Sequence, residues 1–114
     1  MKSNASIAKR IALSLVAVWA ATSLPVQTFA SDEALMERGG CISCHRVDQK
    51  LLGPSFKEVA ARHRGDPQAA ARLFAKVREG GEGEWGDLPM QPNGEEKISD
   101  ENLQAVIAWI LSLQ

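Results

Sequence analysis

The chain lacks several features, and each absence closes off a class of function. It has no basic excess: 13 Lys+Arg stand against 14 Asp+Glu over 114 residues, a net charge of −1. That argues against nucleic acid as a partner, because a binder carries a basic excess. The longest apolar run, Ile11–Leu24, has 14 residues, short of the roughly 20 that a membrane span needs. There are only two cysteines and two histidines. A closed zinc site needs four ligands, and here it would have to draw in His63, far along the chain. Beyond residue 30 no segment alternates convincingly like a strand. A thioredoxin-like redox pair, which sits between strand and helix in a mixed sheet, is thereby disfavoured.

The apolar residues that are present are unevenly spread. Lys2, Lys9 and Arg10 precede the apolar run, and Pro25 and Thr28-Phe29-Ala30 follow it. Basic start, apolar centre and a small residue at the end form the layout of a secretory signal peptide, with the cut after Ala30. Residues 1–30 are thus expected to be a leader and 31–114 the mature domain. Without the leader, 10 basic residues face 14 acidic ones, a net charge of −4. An 84-residue domain has little core and often needs a staple.

The two cysteines lie in Cys41-Ile42-Ser43-Cys44-His45. A disulfide here would close a very short loop and constrain the unfolded chain little. The alternative is covalent attachment of a c-type haem, which this C-x-x-C-H spacing signals. On a helical turn, residues i, i+3 and i+4 share a face. Both thiols and the imidazole then point the same way, toward two vinyl groups and an iron.

The rest of the domain reads as helices and loops. Ser31 caps a helix over Asp32–Arg38, with two acids in its first turn. Gly39-Gly40 precede the motif, and Gly53-Pro54 marks a turn. A second helix over Ser55–Arg62 carries Phe56, Val59 and Ala60 on one face. Asp66-Pro67 starts a third, to Glu79, with Ala70, Leu73, Phe74 and Val77 in register. Ser99 caps the last, whose stripe is Leu103, Val106, Ile107, Ile110 and Leu111. Between the last two lies an irregular loop, about Gly81–Ile98, unusually long for so small a domain. Within it Pro89 and Pro92 restrict the backbone on both sides of Met90. A haem iron needs a sixth ligand or an open site, and the Met90 thioether suits it. Two competitors stand beside it. His63 lies in the charged run Arg62-His63-Arg64 and is expected to face solvent. Met36 is only five residues before Cys41 and reads as core packing.

These residues resemble a known family: class I cytochrome c, in its small bacterial c-551 form. The resemblance spans essentially the whole domain. It rests on GCISCH (40–45), LLGPSF (51–56), VAA (59–61), EWGDLPMQPN (84–93) and AWILS (108–112). It implies an all-α class I cytochrome c fold: four to five short helices around one covalently attached haem, with the first and last helices crossing near Gly40 and Trp109. It also implies roles. Cys41 and Cys44 would carry the thioethers, and His45 and Met90 would be the axial ligands. The Pro54 carbonyl would accept from the second His45 ring nitrogen. Trp85 would meet a haem propionate, and the Asn93 amide would lie near the Met90 sulfur. Trp109 would be packing alone. Lys76 stands where the family often has Arg, which weakens a propionate contact there. Gln91 replaces a proline, and Gly94–Ser99 is longer and more charged than usual.

The implied function is that of a soluble, monomeric carrier in the periplasm, passing single electrons between redox proteins of a respiratory chain. Partners would dock transiently over the haem edge, near Lys50 and Lys57, with neither nucleic acid nor stable membrane insertion involved. The rival reading is a haem enzyme or gas sensor with a labile sixth ligand.

Overall fold

Serine side chains start three of the four helices. The structure, a computed structural model, describes residues 31–114; the leader and its cut after Ala30 lie outside the described residues. Ser31 accepts from the Ala34 N–H (3.3 Å) and starts α1 (Asp32–Arg38). Ser55 starts α2 (Phe56–Arg62), and Ser99 accepts from Asn102 (3.3 Å) at the head of α4 (Asp100–Ser112). The third helix, α3 (Ala69–Glu79), has no side-chain cap.

That helix begins two residues later than the sequence suggests. Asp66 does act at its head, but its carboxylate accepts from Gln68 (2.8 Å). The bond tightens Pro67-Gln68 into a turn, and the regular ladder opens with Arg72 donating to the Gln68 carbonyl. The inward face shifts accordingly. Ala69 is buried, whereas Ala70 is exposed. Leu73, Phe74 and Val77 are half-buried against the core.

The fold is all-α, with four helices, a 3₁₀ turn at Cys41–Ser43 and no strand longer than one bridge among the described residues. α4 is the central element: α1, α2 and α3 all pack against it. Its stripe of Leu103, Val106, Ile107 and Ile110 is buried with Leu35, Met36, Phe56, Val59 and Ile98. Each such side chain contributes about 1.5–3 kcal/mol of hydrophobic stabilisation. The long loop is less irregular than its sequence suggests. Gly81 and Met90 exchange backbone hydrogen bonds of 2.9 and 3.0 Å as an isolated antiparallel bridge. Residues 94–98 close a turn in which Lys97 and Ile98 both donate to the Gly94 carbonyl.

α2 is short, and its ends are well satisfied. Its first two N–H groups donate to Arg46 and Val47 carbonyls at 2.9 and 3.0 Å. Ser55 and Glu58 form a reciprocal capping box, with bonds of 3.1 and 2.8 Å. The Ser55 backbone N–H, and after it the Ser55 hydroxyl, favour the charged carboxylate and hold Glu58 below the usual glutamate range. A lowered carboxyl pKa stabilises the fold above its unfolded value, and that stability is lost as pH falls through the folded value. Losing the cap oxygen in Ser55→Ala should cost about 1 kcal/mol in urea unfolding at neutral pH. Glu58→Gln should flatten the acid limb of the stability–pH profile. An unchanged acid limb would show that the box is not the source.

Candidate functional site

The 3₁₀ turn sets the first wall of the site. Gly40 takes a left-handed φ of 73°, and the chain then winds through Cys41. The Cys41 carbonyl accepts from both Cys44 (3.2 Å) and His45 (3.0 Å). This single turn brings Cys41, Cys44 and His45 onto the wall of one cavity of about 750 Å³. No disulfide joins the two cysteines. Burial pushes the Cys41 thiol up, the opposite of the lowered pKa that a redox nucleophile requires.

His45 is clamped on three sides. Its Nδ1 lies 2.7 Å from the Pro54 carbonyl. A carbonyl only accepts, so Nδ1 carries a proton, and in the neutral ring Nε2 keeps its lone pair. Phe56 stacks on the ring at 5.3 Å and 20°, and Trp109 meets Phe56 edge-on at 6.0 Å. Trp109 is thus part of the packing that supports the imidazole. Gly53 covers the ring closely; a Cβ there would run into it. The return of the chain is pinned by the Gly53 N–H donating to the Cys44 carbonyl at 2.8 Å.

Met90 lies on the cavity wall, with its backbone held by the bridge to Gly81. Gly80 makes that approach feasible. It adopts φ 69°, and a Cβ there would sit 2.5 Å from the Met90 carbonyl oxygen and 2.8 Å from the Pro92 nitrogen. Pro54, Lys76, Trp85 and Asn93 also line the cavity, so all eight residues singled out in the sequence meet there. Lys76 directs its ammonium to the Gly80 carbonyl at 3.5 Å. The Asn93 Nδ2 donates to the Gly39 carbonyl at 2.6 Å, tying the loop to the end of α1, while its Oδ1 is buried without a partner. The greasy walls come from α4 (Leu103, Val106, Ile107, Ile110) and α3 (Leu73, Val77).

Neither competitor for the iron lines this cavity. Met36 is buried in the core at 2% exposure. His63 does not face solvent as its charged neighbours suggest. It is half-buried at the end of α2, with Nε2 enclosed and without a partner. The charge of the run falls to Arg62 and Arg64, which leaves the imidazole between them free to turn inward.

Two arginines that contribute to the site had no distinguishing signal in the sequence. Arg62 lies 4.5 Å over the Trp85 ring and donates to the Glu84 carbonyl at 2.6 Å, so it fixes one side of the loop. Arg78 grips the other end, with bonds of 2.9 Å to the Asn93 and Ile98 carbonyls. Helix-end basic residues are commonplace, and only the folded loop reveals that these two have carbonyls to bind.

The cavity is of the size and apolar character of cofactor sites, which run to about 300–1,000 Å³. A pair of thiols, an imidazole with a free Nε2 and a thioether form a nitrogen- and sulfur-rich donor set that suits a covalently held haem iron. Comparison with known proteins agrees. The cytochrome c family model matches residues 32–114. The chain is 45% identical over 83 residues to cytochrome c-551 of Allochromatium vinosum, covering 73% of this chain and 86% of that one. It is 40% identical over 101 residues to cytochrome c-551 of Pseudomonas aeruginosa, covering 88% and 92%. Among solved structures, cytochrome c552 of Nitrosomonas europaea superposes with a TM-score of 0.67 at 38% identity, over 72% of this chain and 99% of that one.

The chain therefore belongs to the cytochrome c family. Its fold and relatives place it with the class I monohaem cytochromes of c-551 type: electron-transfer proteins that carry one covalently bound haem c. If Gly80 is the keystone of the Met90 arm, Gly80→Ala combines left-handed strain with overpacking, about 2–4 kcal/mol together. Urea unfolding of the purified variant measures this, and a loss under about 1 kcal/mol would show that the loop adapts.

Proposed function

We propose that this chain is a soluble single-electron carrier of the periplasm, with Cys41 and Cys44 holding the haem by thioether bonds and His45 and Met90 binding its iron. The observation that carries the reading is the gathering of these four side chains on the walls of one largely apolar cavity. Bound there, the haem supplies an iron that gains and loses one electron. The chain's own residues tune that exchange. The Pro54 carbonyl fixes the His45 tautomer and raises its basicity as a ligand. The Met90 thioether, a soft donor, favours the reduced iron and raises the potential. Apolar walls from α3 and α4 exclude water and lower the local dielectric. By the family resemblance Trp85 would meet a propionate group and the Asn93 amide would approach the Met90 sulfur, while Lys76, whose ammonium is directed to the Gly80 carbonyl, would make at most a weakened propionate contact.

Leu52 and Leu88 line the mouth of the cavity and remain 59% and 62% exposed. Exposed Lys50 lies two residues from Leu52. An apolar mouth with charge nearby suits the small, transient contacts of electron-transfer partners, which charge tunes more than area does. Among the described residues no helix is long and apolar enough to cross a membrane. Export rests on the leader reading, with residues 31–114 as the mature monomer.

The visible spectrum and mass of the periplasmic protein test the reading. The expected result is one haem on a chain starting at Ser31, a sulfur-to-iron charge-transfer band in the ferric form, and no ready carbon monoxide binding in the ferrous form. Met90→Ala should abolish the band and admit carbon monoxide. A spectrum unchanged by that substitution would remove Met90 from the iron.

A further inference from the structure

Met90 is tethered on both sides, and the downstream tether leads to Arg78. Upstream, its own backbone pairs with Gly81. Downstream, Asn93 makes three backbone-anchoring bonds. Its N–H donates to Val77 (2.9 Å), its Nδ2 to Gly39 (2.6 Å), and its carbonyl accepts from Arg78 Nη1 (2.9 Å). The same guanidinium donates through Nη2 to the Ile98 carbonyl (2.9 Å) and to the Asp100 carboxylate (2.6 Å). It also packs over the Phe74 ring at 5.2 Å. The Arg78 side chain is only 17% exposed, whereas its ionic partner Asp100 is 57% exposed. The two carbonyls it binds bracket the charged turn at 94–97.

We propose that Arg78 is a positioning residue for the iron ligand: by holding Asn93 it sets how readily the Met90 thioether leaves the iron. The inference rests on Met90 being that ligand. An external ligand can take the sixth position only after Met90 withdraws, and a freer segment from Met90 to Asn93 makes that withdrawal easier. The apparent affinity of the competitor is its intrinsic affinity scaled by the fraction of molecules already open. A guanidinium carries five donors in a rigid fork and can serve two carbonyls and a carboxylate together. A lysine ammonium is a single point of charge and holds fewer of them. The exposed half of the arrangement, the ion pair with Asp100, is worth little by itself, so the effect resides in the two carbonyl bonds.

The test is imidazole titration of the ferric, haem-loaded full chain, read as loss of the sulfur-to-iron band, with urea midpoints measured in parallel. Arg78→Gln should bind imidazole about tenfold more tightly than the parent, the size of effect that losing a charged hydrogen bond supports. Arg78→Lys should fall between the two. Asp100→Asn, which removes only the ion pair, should stay within about twofold of the parent. Should Arg78→Gln fail to fold, Arg78→Lys against the parent decides the matter. Parental imidazole affinity in the Arg78 variants overturns the proposal, as does an equal shift in Asp100→Asn. A parent protein without the sulfur-to-iron band overturns the Met90 reading instead, and this inference with it.

Discussion

The hydrogen bond from His45 Nδ1 to the Pro54 carbonyl, 2.7 Å long, is the contact around which the rest of the domain is arranged. It sets the tautomer, and with it which nitrogen can bind a metal. It also requires the chain to return to the Cys41–Ser43 turn within nine residues of His45. That return is why Gly53 must lack a side chain, why the head of α2 donates to Arg46 and Val47, and why Phe56 lies flat against the imidazole. The capping box at Ser55 is thus more than a helix terminus, since it holds the residues that hold His45.

The opposite wall is built by different means. No helix carries Met90. A one-residue bridge, a left-handed glycine and the anchored Asn93 hold it, with Arg62 and Arg78 binding loop carbonyls from α2 and α3. His45 therefore sits in a local, sequence-contiguous setting, and Met90 depends on contacts from all parts of the domain. Between them, α4 presents Leu103, Val106, Ile107 and Ile110 to both the core and the cavity. So small a domain has little interior of its own, and using the same stripe twice lets packing and cofactor binding reinforce each other.

Local rules carried the sequence reading a long way. Serines 31 and 99 cap helices as read, and Ser55, read as the first residue of its helix, caps it too, because a side-chain oxygen in reach of free N–H groups is a short-range matter. The α4 stripe followed from its period. The reading went astray where two local signals competed or where a partner came from a distance. Asp66-Pro67 is a genuine start signal, yet the Asp66 side chain captured Gln68 and moved the regular helix to Ala69, which exchanged Ala70 for Ala69 in the core. His63 took its neighbours' polarity in the sequence and its own half-buried place in the fold. The pairing of Gly81 with Met90 joins residues nine apart across a glycine-rich loop, and no periodicity marks it.

By itself, the sequence determined the cofactor class, the all-α class and the helix boundaries to within about two residues. Each of these depends on groups a turn or two apart, whose geometry the backbone imposes. Only the tertiary structure decided how Met90 is held, which way Asn93 donates, and that Arg62 and Arg78 clamp the loop rather than extend into water. Those outcomes depend on carbonyls brought close by packing against α4. A side chain's choice between such a carbonyl and solvent is settled only once that packing exists.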